Sequence, residues 1–88
     1  ELMSIIGEYL MARLDKERFK EKSKEHNNVQ DVVGADYKFF ELEGKKYFQI
    51  DSYGKSSRKN PGKVSQSIQF DEEFARELVR LLREEFQI

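Results

Sequence analysis

Glu43-Gly44-Lys45 has the E-x-K spelling of many metal-dependent nucleases, and Asp36 would have to complete its metal site. The triplet falls where a hairpin tip is expected, and a chain this rich in Glu and Lys also produces such triplets by chance. His26 is the single histidine and lies in a polar stretch, where a surface residue rather than a catalytic base is expected. A zinc site needs three or four clustered ligands, which one His does not supply. The absence of cysteine removes disulfides, thiolate metal sites and a cysteine nucleophile together. No Gly-rich phosphate cradle and no G-x-S-x-G elbow occur. No catalytic residue, metal site or cofactor is therefore assigned, and a metal-dependent nuclease on Glu43 and Lys45 stands only as a weaker alternative.

A different chemistry lies in the aromatic and basic residues of the middle of the chain. Tyr37, Phe39, Tyr47 and Tyr53 could offer rings on which unpaired bases stack, at roughly 1–3 kcal/mol per base. Lys45, Lys55, Arg58, Lys59 and Lys63 would contact phosphates at the rim. Ser65, Ser67 and Gln69 would continue a polar wall along the next strand. The competing reading is that these tyrosines only cover the sheet beneath a docked first helix. Both readings stay open at this level.

Periodicity says which elements would position these side chains. Leu2, Ile5, Ile6, Tyr9, Leu10, Arg13 and Leu14 follow an i, i+3, i+4 spacing that predicts a helix over about 2–24. Asn27, Asn28 and Gly34 then mark a connector. Aromatic and β-branched residues flanking Gly44 predict a hairpin over about 37–53. A three-residue loop Leu42-Glu43-Gly44 would set Phe39 opposite Tyr47 and Tyr37 opposite Gln49. It gathers Tyr37, Phe39, Tyr47 and Tyr53 on one face and leaves Lys38, Phe40, Lys46, Phe48, Ile50 and Ser52 toward the core. A two-residue turn would instead put Phe48 over Phe39.

Residues 54–63 read as a loop, and 64–70 as a strand anchored by Ile68 and Phe70. Asp71 is the expected N-cap of a helix over about 72–86, with the apolar stripe Phe74, Leu78, Leu81, Leu82 and Phe86. The expected fold is α+β: a small antiparallel sheet of three or four strands with an N-terminal and a C-terminal helix, in one domain over 1–88.

The 88 residues are 38% hydrophobic and 38% charged, enough for a single modest core with a very polar surface. Such a small domain gains by self-association, so a homodimer is expected. The net charge of −1 hides a division along the chain. Cations dominate from Tyr37 to Lys63, and acids from Asp71 onward. No apolar run approaches the roughly 20 residues that span a bilayer. No membrane partner and an intracellular location, cytoplasmic or nucleoid/nuclear, are expected.

At Phe48-Gln49-Ile50-Asp51, Asn60-Pro61-Gly62-Lys63 and Ser67-Ile68-Gln69-Phe70-Asp71 the sequence resembles a known family. This is the single-stranded-DNA-binding transcriptional coactivator family of the positive-cofactor-four type, with more distant likeness to its Whirly and Pur-alpha relatives. The likeness covers roughly Tyr37 to Phe86 and departs from the family in lacking Trp and a strongly basic surface. It implies a dimer assembled partly through the helices, with sheet faces and basic loops gripping unpaired strands. The expected function is thus non-catalytic binding of single-stranded nucleic acid, in transcription or replication. A protein-interaction or oligomerisation module of a larger protein is the alternative.

Overall fold

The computed structural model describes residues 10–54 and 64–88. Its elements are Leu10–Arg13 (β1), a 3₁₀ turn at Lys16–Arg18, Ala35–Leu42 (β2), Lys45–Tyr53 (β3), Val64–Asp71 (β4) and Glu72–Phe86 (α1). The strands form one sheet in the order β1-β4-β3-β2. β2, β3 and β4 run antiparallel as a meander, and β1 adds to the outer edge of β4 in parallel. The architecture is α+β, with a mixed four-stranded sheet and a C-terminal helix.

Two expectations are corrected here. Residues 10–24 hold no α-helix, only the 3₁₀ turn: Leu10 to Arg13 pair with Gln66 to Gln69, and the Leu14 amide donates to the Gln69 carbonyl at 2.8 Å. The ladder offered by β4's open edge outweighs the helical spacing of the apolar residues, a tertiary override of a weak local preference. Residues 2–9, the rest of that expected helix, lie outside the described residues. The wholly antiparallel sheet fails for the same reason, because β1 is the parallel strand.

The hairpin register also differs from expectation. The turn has two residues, Glu43 (φ 53°) and Gly44 (φ 78°), both left-handed. This is the type I′ arrangement, whose twist matches the right-handed twist of the flanking strands. Phe39 therefore faces Phe48, and Phe40 faces Tyr47. A shift of one residue moves a strand's whole side-chain set to the other face, so Tyr37 and Phe39 part company with Tyr47 and Tyr53.

One face now carries Tyr37, Phe39, Phe48, Ile50, Ile68 and Phe70. Its ring centroids run from Phe39 to Phe48 (4.9 Å), Phe48 to Phe70 (5.2 Å) and Phe70 to Phe74 (4.9 Å), ending with Phe19 against Phe74 (4.6 Å). The core sits where this row meets α1, with Phe74 1% and Phe70 8% exposed. The first three pairs are tilted and the last is edge-on, and aromatic pairs at such distances contribute about 0.5–1.5 kcal/mol each beyond their burial.

Local chemistry fixes both ends of α1. Asp71 Oδ1 accepts from the Phe74 amide at 3.1 Å, satisfying one orphan donor of the first turn. Gln87 adopts a left-handed cap (φ 56°) with its amide donating to the Arg83 carbonyl, and Ile88 donates there too. Along the solvated side, Arg76 pairs with Glu72, and Arg80 bridges Glu77 and Glu84.

Candidate functional site

The second sheet face is built from Lys38 and Phe40 of β2, Tyr47, Gln49, Asp51 and Tyr53 of β3, Ser67 and Gln69 of β4, and Met11 and Arg13 of β1. Its floor is a connected polar row. Gln69 Nε2 donates to Gln49 Oε1 at 2.7 Å, and Gln49 Nε2 donates to Asp51 Oδ1 at 2.8 Å. Ser67 Oγ donates to the same Asp51 oxygen at 2.5 Å. Gln49 and Ser67 are buried, and among the described residues every buried side-chain polar atom has a partner. The Ser67 hydroxyl first, and the Gln49 amide second, hold the Asp51 carboxyl below the ordinary carboxylate range, with Lys38 adding its charge. A satisfied row of this kind stiffens the sheet and fixes the orientation of its neighbours.

At the hairpin-tip end of the row sits an aromatic pair. Phe40 and Tyr47, both half-buried, stack across β2 and β3 with centroids 5.4 Å apart and planes 24° apart. Lys38 Nζ lies 5.8 Å from the Phe40 ring centre, and the Arg13 guanidinium carbon lies 5.9 Å from that of Tyr47. These are cation–π distances. Lys45 stands nearby, its ammonium 3.6 Å from Asp71. At the other end Tyr53 Oη donates to Asp36 Oδ2 at 2.5 Å, which raises the tyrosine's proton affinity. The Tyr53 amide also donates to the Gly34 carbonyl, tying the connector to the sheet.

The expected site residues are thus divided. Lys45, Tyr47 and Tyr53 share this face with the polar wall of Ser67 and Gln69, whereas Tyr37 and Phe39 lie on the opposite face beside Phe48. Lys55, Arg58, Lys59 and Lys63 lie outside the described residues. Sequence reasoning missed Phe40, which it sent to the core, and Arg13, which it placed on a helix. An X-Gly pair flanked by strand-like residues was the available signal for a two-residue turn, and that register brings Phe40 to Tyr47.

The E-x-K triplet does not gain a metal partner. Glu43 is in the turn, and Asp36 is seven residues back along β2, roughly 23 Å at about 3.3 Å per residue. Among the described residues no group of three or more His, Cys, Asp or Glu is placed to hold a metal ion, and no helix is long and apolar enough to cross a membrane.

No protein-family model, curated protein or solved structure matches the chain at a significant level.

Proposed function

We propose that this chain is a non-catalytic domain that binds single-stranded nucleic acid on the face carrying Phe40 and Tyr47. The observation that carries the reading is the Phe40–Tyr47 stack with Arg13 and Lys38 set against its rings. Unpaired bases stack on aromatic platforms whatever their sequence, and cations beside the platform contact the phosphates. The segment between β3 and β4 carries Lys55, Arg58, Lys59 and Lys63, which add cations for phosphate contacts. The resemblance to the single-stranded-DNA-binding coactivators supports the same assignment and a role in transcription or replication. Tyr53 lies on the same face at the far end of the polar row, while Tyr37 and Phe39 leave it.

A protein-interaction module is the second reading, favoured by Tyr37 and Phe39, which are 70% and 62% exposed on the other face. The two readings use opposite faces and are separable. Fluorescence anisotropy with labelled single-stranded and duplex oligonucleotides, at two salt concentrations, tests the first. Tighter binding of the single strand that weakens with added salt is expected. No binding at low salt would overturn it.

A further inference from the structure

β2 is an outer strand of the sheet, with β3 on one side of it and no described strand on the other. The Tyr53 amide donates to the Gly34 carbonyl at 2.9 Å, which makes Gly34 and Tyr53 a hydrogen-bonded pair. In an antiparallel ladder such pairs alternate with unbonded ones. Asp36, Lys38, Phe40 and Leu42 therefore direct their backbone groups at β3, whereas Ala35, Tyr37, Phe39 and Glu41 turn theirs outward. Among the described residues no backbone group bonds to that outer row. Protected edges are short, bulged or interrupted by proline. β1, at the other edge, has four residues, but β2 has eight, in unbroken register with β3 and without proline. α1 packs over β4, so Tyr37 and Phe39 stand open on the first face beside the outward backbone groups.

We infer that the outer edge of β2 takes an extended peptide of a partner protein as a fifth strand, antiparallel to β2. Antiparallel pairing continues the β4-β3-β2 meander and is the more stable arrangement per residue. Side chains directly opposite one another share a face. The partner's residues opposite Phe39 and Tyr37 are therefore apolar and lie against those rings. The charges along β2 alternate in sign and set the rest: a base opposite Glu41, an acid opposite Lys38 and a base opposite Asp36. From its N-terminus, the partner strand reads base, any residue, apolar, acid, apolar, base. Backbone bonds supply affinity in this mode, and the alternating side chains supply selectivity. The inference rests on the second reading, protein interaction through Tyr37 and Phe39, and does not depend on nucleic-acid binding.

Fluorescence anisotropy of the whole chain with the labelled peptide Lys-Thr-Val-Glu-Val-Lys tests it. Saturable binding in the micromolar range is expected, with the charge-reversed Glu-Thr-Val-Lys-Val-Glu weaker by about fivefold or more. N-methylation of both valines removes the amides that face β2 and should abolish binding. N-methylation of the glutamate, whose amide faces away, should leave it. Lys38→Glu should come to prefer Lys-Thr-Val-Lys-Val-Lys, in which the acid alone is exchanged, with far-UV circular dichroism reporting that the variant folds. No binding of any of these peptides at millimolar concentration would overturn the inference. A dimer of the chain broken by Phe39→Pro would then give the edge to a second copy. Equal binding of the original and charge-reversed peptides would overturn it too. Binding that the valine N-methyl groups leave unchanged would overturn strand addition while keeping Tyr37 and Phe39 as an apolar contact surface, so the two failures are distinct.

Discussion

Asp51 and Ser67 face each other across β3 and β4, and the Ser67 hydroxyl donates to the Asp51 carboxylate at 2.5 Å. The same oxygen takes the Gln49 amide, so a charge is held in the middle of the sheet by two donors. Hydrogen bonds to charged groups are stronger than neutral ones, which is why a strand otherwise suited to apolar packing tolerates this row.

The pH dependence of stability follows from that arrangement. Because its two donors favour the charged form, Asp51 has a lower pKa folded than its ordinary unfolded value near about 3.9. Its contribution is present above that unfolded value and is lost as pH falls through the folded one. Asp51→Asn should lower stability by about 1–2 kcal/mol at neutral pH. The gap to the unaltered chain should close as pH falls below the ordinary carboxylate value, measured as urea midpoints. A gap that stays constant with pH would contradict this.

At the start of α1, Asp71→Ala removes the acceptor for the Phe74 amide and should cost about 1 kcal/mol. Asp71→Ser should retain most of that in thermal melts, because a hydroxyl oxygen can accept the same bond. Equal losses from Ala and Ser would show that the ion pair with Lys45, rather than the cap, is what matters.

The hairpin turn places Glu43 in a left-handed conformation that Asn adopts more easily. Glu43→Asn should therefore stabilise the domain by about 0.5–1 kcal/mol, read as a higher denaturant midpoint with unchanged slope. Destabilisation would mean the turn is not of the two-residue type.

Binding should depend on salt through the cations beside the stack. Lys38→Ala and Arg13→Ala should each weaken single-strand binding across all sequences and reduce the log–log salt slope by about 1. An unchanged slope for both would remove these residues from the phosphate contacts.

The parts legible in the sequence were those set by local chemistry. Alternation marked the strand from Val64, and Asp71 before Glu72 and Glu73 marked the helix start, because a cap and an apolar stripe are short-range signals. Two long-range choices were not legible. Leu10 and Leu14 fit a helical stripe as well as they fit an edge strand, and only the open edge of β4 decides between them. The register turned on whether Glu43 would accept a positive φ, and residue type argues against that. The gain is a row in which Phe39, Phe48 and Phe70 line up on one face. That single shift moved Tyr37 and Phe39 away from the candidate site and brought Phe40 into it.

The most direct test of the proposed binding face compares two tyrosines on opposite sides of the sheet by fluorescence anisotropy with one labelled single strand. Tyr47→Ala should weaken binding by about 1–3 kcal/mol, a factor of roughly 5 to 150, while Tyr37→Ala leaves it within about twofold. Equal affinity for Tyr47→Ala and the unaltered chain, or a loss confined to Tyr37→Ala, would contradict the assignment of that face.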